Sequence, residues 1–215
     1  MNSKTNETAL EATIEKVLTG TCLEELGGCG HLPADLQEIV DEPVELYHGN
    51  NGFYIGTAND YNAQYAIDEL RFWQFLESTQ KVELEKLKRT ADWKLKIVVR
   101  LDRMIRKYGL LRLLRKGLEV EDAHFTLLYQ VPMASSSQAV KDNFEKNEFS
   151  VTRQVRYNTE NQREEMDMVV FVNGLPIATL ELKNAWTGQT AKVQGIKQYK
   201  YDRDIKQPLL NFGRC

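Results

Sequence analysis

Residues 167–183 read DMVVFVNGLPIATLELK. Met168 to Val172 is rich in β-branched and aromatic residues, and Pro176 to Leu180 is nearly as apolar, so two short strands joined near Asn173 and Gly174 is the economical reading. Both strands are expected to be buried on both faces. Side chains alternate faces along a strand, so Glu181 and Lys183 project together while Leu180 and Leu182 project the other way. Residues directly opposite each other in an antiparallel pair share a face, and Asp167 meets Glu181 there only if the loop has an odd number of residues. A two-residue Asn-Gly turn sets Asp167 against Leu180. A three-residue Asn173-Gly174-Leu175 loop, with Gly174 free to take a left-handed conformation, sets it against Glu181, and that loop is the expectation.

Two carboxylates and an ammonium on one buried strand pair are unfavourable unless a cation or a proton relieves them. Asp167 and Glu181, with the backbone carbonyl of Leu182, form a hard oxygen donor set that suits Mg²⁺. Such an ion polarises a phosphate and activates water, and Lys183 would orient that water or neutralise developing charge. The spacing equally fits an exposed charged pair ending a strand, because motifs this short are weakly specific.

Other segments sharpen the reading: FSVTRQVRY at 149–157, TGQT at 187–190 and QYKYDRD at 198–204 accompany the hairpin. Upstream stand ETALEATIEKVL, DYNAQYAIDELRFWQFL, DWKLKIVVRLDRMIRKYG and DAHFTLLYQVPMASSS. Together these resemble the amino-terminal nuclease region of type I restriction endonuclease R subunits, the HsdR family, over most of the chain outside residues 22–56. The resemblance implies an α/β, restriction-endonuclease-like PD-(D/E)xK core, a mixed central sheet flanked by helices, with a helical insertion. It places the motif aspartate, glutamate and lysine on Asp167, Glu181 and Lys183, with Mg²⁺ as cofactor. It also implies an auxiliary glutamine and tyrosine, for which Gln198 with Tyr199 or Tyr201 are the candidates. Nucleases with this core often add a glutamate from the first helix, and Glu11 matches, although Glu7, Glu11 and Glu15 equally suit a solvated acidic face.

The resemblance further implies Mg-dependent cleavage of double-stranded DNA, coupled in the intact protein to ATP-driven translocation, with methyltransferase (M) and specificity (S) subunits as partners. No Gly-x-x-x-x-Gly-Lys-Ser/Thr loop occurs in the sequence, so ATP is expected to serve only the full-length protein, and the chain is read as an amino-terminal fragment without motor domains. Two other readings stay open. One is another nuclease of the same core, a RecB-like exonuclease or junction resolvase. The other is a noncatalytic DNA-binding or assembly module.

The 215 residues, 42% hydrophobic, suit one domain with a real core. A helix is expected over 7–18, with Leu10, Ile14, Val17 and Leu18 docking on the core. Glycines and prolines punctuate 27–43. A helical subdomain is expected over about 60–118, with Ile67, Leu70, Trp73 and Leu76 on one helix and Ile97, Leu101, Ile105 and Tyr108 on another. The nuclease core is expected over about 125–215. It comprises a strand over 125–131, a helix begun by Ser135 to Ser137 and reaching 146, the first sheet strand over 149–157, the hairpin, a helix over 190–201 and a strand near Leu209.

No apolar run approaches the ~20 residues that span a bilayer, and the polar start lacks a secretory segment, so a cytoplasmic protein is expected. Cys22, Cys29 and Cys215 should then be reduced. Cys22, Cys29 and His31 match no common zinc spacing, and His48 and His124 read as structural. The net charge of -3 hides an uneven distribution: Lys94, Lys96, Arg100, Arg103, Arg106, Lys107, Arg112, Arg115 and Lys116 face one acid, Asp102. This basic stripe reads either as a phosphate-tracking surface or as a solvated helix face. Arg153, Arg156 and Arg163 are alternative DNA contacts. Nothing resembles a base-reading module.

Overall fold

A computed structural model of the chain describes residues 3–26, 52–161, 163–182, 201 and 203–211. The elements run α1 (Ser3–Thr19), α2 (Leu23–Leu26), β1 (Phe53–Ile55), β2 (Tyr61–Asn62), β3 (Ile67–Asp68), α3 (Glu69–Thr79), α4 (Lys81–Leu87), α5 (Trp93–Tyr108) and α6 (Leu110–Lys116). There follow β4 (Leu118–Val120), β5 (Ala123–Phe125), α7 (Gln138–Glu145), β6 (Phe149–Arg156), β7 (Glu165–Val172) and β8 (Leu175–Leu180). The glycine-rich and proline-punctuated stretch at 27–43, His48 and nearly all of the helix expected over 190–201 lie outside the described residues.

Strands β6, β7 and β8 form an antiparallel meander, and β1 adds in parallel along the free edge of β6, giving a mixed sheet of order β1-β6-β7-β8. The sheet therefore begins before Phe149. A three-residue strand such as β1 is too short to show the alternation that reveals a strand in sequence. The long strand expected over 125–131 is instead the end of a short hairpin, in which β5 pairs with β4 and Val131 is exposed. Near Leu209 the chain makes a 3₁₀ turn, Pro208–Leu210, rather than a strand.

The β7–β8 connection corrects the three-residue loop. Val172 pairs with Leu175, so the turn is the two residues Asn173 and Gly174, at φ 50° and 76°. Two successive positive φ values match the right-handed twist of a hairpin, which is why Asn-Gly occupies them. The turn is buried. Gly174 accepts a hydrogen bond from the Asp68 amide at 2.9 Å, and a Cβ there would lie 2.5 Å from the Asp68 carbonyl oxygen. Asn173 accepts from the Glu148 amide at 2.7 Å and donates to the Leu127 carbonyl at 2.9 Å.

Parity is restored further along. Phe171 pairs with Pro176 but Val170 pairs with Ala178, so Ile177 is an extra residue, a β-bulge in β8. Beyond it Val169 faces Thr179 and Met168 faces Leu180. Strand β8 is also less buried than expected: Ile177 and Ala178 are exposed.

On α3 the buried residues are Arg71, Phe72, Phe75 and Leu76, whereas Ile67 belongs to β3 and Leu70 faces out. Asp68 accepts from the Arg71 amide at 3.1 Å and so caps the helix after Ile67, and buried Arg71 reaches the Ile55 carbonyl at 2.8 Å. On α5 Ile97, Leu101 and Ile105 are buried as their spacing requires, while Tyr108 is partly exposed. Helix α7 follows Ser137 as expected. Helices α3 to α6 pack into one apolar cluster with Val172 and Leu175 of the hairpin. A second cluster joins Ala66, Val155, Tyr157, Met166, Val169, Phe171 and Leu209.

Candidate active site

The ladder ends at the Met168 and Leu180 pair; continued one step, its shifted register would set Asp167 opposite Glu181 at the open end of the hairpin. The odd residue expected between Asp167 and Glu181 is thus a bulge in β8 and not part of the loop. The Leu182 amide donates to Asp167 Oδ2 at 2.5 Å, tying the end of β8 to β7 through the aspartate side chain. Across the other edge of β7 the pairs Arg153 with Met168 and Val155 with Met166 bracket Gln154, which is therefore the neighbour of Asp167 on β6. Gln154 has φ 52°, a left-handed conformation that interrupts the ladder at this point.

Glu181 is held by a residue that the sequence did not single out. The Arg203 guanidinium donates to Glu181 Oε2, and the same Nη2 donates to the Glu165 carbonyl at 3.0 Å. The guanidinium also stands 5.0 Å from the centroid of the Tyr157 ring. Arg203 thus joins the end of β6, the start of β7 and the end of β8. Burial and the accepting Glu164 carboxylate, 2.7 Å away, push the Tyr157 hydroxyl up to about 12. No spacing rule points to Arg203, because its meaning depends on where the segment after β8 returns to the sheet.

Helix α1 is rotated from its expected face, with Ile14 and Leu18 half-buried and Leu10 exposed. Val17 is 67% exposed, whereas Glu11, Glu15 and Thr19 are buried. The cause is Arg153, itself buried, which donates to Glu11 at 3.1 Å, Glu15 at 3.3 Å and Glu24 at 2.8 Å. Gln154 donates to the other Glu11 oxygen at 2.6 Å. Both Glu11 oxygens are therefore engaged by β6, and the structure does not bring Glu11 into a metal-binding group with Asp167 and Glu181. No cluster of three or more metal-ligating side chains occurs among the described residues. Burial pushes the Glu15 carboxyl above its ordinary range, with the Leu23 amide and Arg153 opposing that shift.

Arg156 is an exposed cross-strand partner of Glu165 at 3.1 Å, and Tyr201 is 77% exposed. Arg163 is also exposed. Lys183, Gln198, Tyr199, Cys29, His31 and Cys215 lie outside the described residues. Cys22 is buried and free, and His124 sits on β5 with its ring Nε2 3.2 Å from the Lys116 carbonyl.

A mixed α/β domain with an acidic pair at the end of a bulged hairpin is the class that fold and site define. The family model for the type I restriction enzyme R protein N terminus (HSDR_N) matches residues 52–214. The chain belongs to that family. It is also similar to a Methanocaldococcus jannaschii protein named as a type I restriction enzyme MjaIXP endonuclease subunit, with 50% identity over 54 residues. Those residues make up 24% of this chain and 5% of that protein, so the chain spans a small part of its relative. No solved structure matches.

Proposed function

We propose that the chain is the DNA-cleaving module of a type I restriction enzyme R subunit, a PD-(D/E)xK nuclease acting on double-stranded DNA in the cytoplasm. In the whole enzyme its cleavage is coupled to ATP-driven translocation and works alongside methyltransferase and specificity subunits. The observation that supports this reading is the bulge at Ile177, which shifts the β8 register by the one residue that a shared face for Asp167 and Glu181 requires. Among the described residues no helix is long and apolar enough to cross a membrane.

The donor set fits Mg²⁺, an ion bound through one or two carboxylates that otherwise keeps water and phosphate oxygens. Asp167 and Glu181 would hold it, and Glu11, engaged by Arg153 and Gln154, is left out of the set. When bound, the ion supplies polarisation of the scissile phosphate and a more acidic water. The chain's own residues prepare that chemistry. The Leu182 amide orients Asp167, Arg203 fixes one oxygen of Glu181, and Lys183 serves as the cation that orients the attacking water. Gln198 with Tyr199 or Tyr201 would position DNA beside it.

The test uses the complete R subunit assembled with its partner subunits. Asp167→Ala and Lys183→Ala should abolish cleavage while leaving ATP hydrolysis and translocation intact. Cleavage at the normal rate by either variant overturns the assignment.

A further inference from the structure

The basic run over 94–116 divides into two halves. In the first half the cations are engaged by neighbouring groups of the chain at its surface: Lys94 lies 5.0 Å from the Trp73 ring centroid, Lys96 pairs with Glu121 at 3.0 Å, and Arg100 donates to the Glu119 carbonyl at 3.1 Å. In the second half, among the described residues, only Arg106 has an acidic partner, Asp102 at 2.7 Å. Arg103, Lys107, Arg112, Arg115 and Lys116 are exposed and make no ion pair with a described carboxylate.

The geometry joins these cations into one surface. Helices α5 and α6 bury Ile97, Leu101 and Ile105, and Leu110, Leu113 and Leu114, which leaves their basic faces outward. At the Gly109 corner Tyr108 bridges the two faces, with Lys107 4.9 Å and Arg112 4.4 Å from its ring centroid. A hydrogen bond with Lys107, and then the Lys107 and Arg112 charges, draw the Tyr108 hydroxyl below its ordinary value. Cations in the last turn of a helix can be explained by the helix dipole alone. That accounts for Arg106, Lys107, Arg115 and Lys116, but not for Arg103 and Arg112.

The surface also leads to the site. Arg106 lines a groove of about 360 Å³ with Ile205, Lys206, Leu210 and Asn211. The same segment begins with Arg203, the partner of Glu181.

We propose that the outward face of α5 and α6 from Arg103 to Lys116, continued by Lys206, is a contact surface for the phosphate backbone of duplex DNA that delivers the strand toward Asp167 and Glu181. The identity of the polyanion rests on the DNA-cleaving reading above. A surface of this kind tracks phosphates without reading bases, so it contributes affinity and salt dependence rather than sequence choice.

The test is binding of the chain to a fluorescently labelled DNA duplex over a range of NaCl concentrations. The triple variant Lys107→Gln, Arg112→Gln, Arg115→Gln is compared with a control of equal charge change, Lys81→Gln, Lys88→Gln, Arg89→Gln. Each phosphate that the protein ceases to neutralise should lower the slope of log K against log salt by about 0.9. The basic-face variant is expected to lose roughly 2 to 3 in slope, and the control to bind like the parent, both with unchanged circular dichroism. An equal loss in both variants, an unchanged slope in the first, or no duplex binding by the parent chain overturns the proposal. Asp167→Ala separates the two readings: it should bind DNA normally yet support no cleavage in the assembled enzyme. If it cleaves, the catalytic reading fails whatever the slopes show.

Discussion

Arg203 and Glu181 form an ion pair whose side chains are only 6% and 4% exposed. A charge buried this deeply is tolerable only with its partner, and removing one member strands the other.

Arg203→Ala should therefore destabilise the domain by about 3–5 kcal/mol, the range for breaking a buried pair. Replacing both residues with methionine should recover most of that loss, since an apolar pair of similar volume carries no desolvation cost. Urea unfolding of the two variants checks this, and equal destabilisation in both would contradict it.

Deleting Ile177 removes the bulge and moves Glu181 one step in register, to the sheet face opposite Asp167. The domain should keep its far-ultraviolet circular dichroism while the assembled enzyme loses cleavage. A cleaving deletion variant would show that the shared face is irrelevant to the chemistry.

Arg153 is the shared ion partner of Glu11, Glu15 and Glu24, so Arg153→Ala leaves these acids without that cation between α1 and the sheet. Hydrogen exchange should show loss of protection first in Ser3–Thr19, ahead of β6 to β8. Uniform loss across the domain would mean that α1 does not depend on this cluster.

Burial raises the Asp68 carboxyl to about 6, against the opposing pull of the Arg71 amide and charge. The folded state thus keeps a proton that the unfolded state releases near its ordinary 3.8. Stability attributable to this group is greatest below pH 3.8 and falls as pH rises through 6. Asp68→Asn, which retains a capping oxygen but removes the ion partner of buried Arg71 at 3.5 Å, should flatten this pH dependence, so that its stability relative to the parent rises from pH 4 to pH 7. Thermal melts across that window measure it; a difference independent of pH would reject the titration.

The hairpin was legible from residues 167–183, and so was the odd residue between Asp167 and Glu181, because the parity of alternating side chains demanded one for a shared face. The location of that residue was not legible. Asn-Gly makes a tight turn whose buried side chain and close approach to Asp68 favour two residues, so the odd residue moved to Ile177. The face of α1 was misread for a related reason. Its apolar stripe suggested docking, but Arg153 lies 142 positions from Glu11, and a buried cation made the acidic face the one that turns inward.

By itself the sequence determined the features that neighbouring residues encode: the period-two strands of the hairpin, the helical stripe of Ile97, Leu101 and Ile105, and the acidic and basic residues available to a site. Only the tertiary structure decided the bulge, the parallel addition of β1, the inward turn of Glu11 and Glu15, and the capture of Glu181 by Arg203. Periodicity is a local property of the chain. Where a buried charge finds its partner depends on segments that meet only after folding.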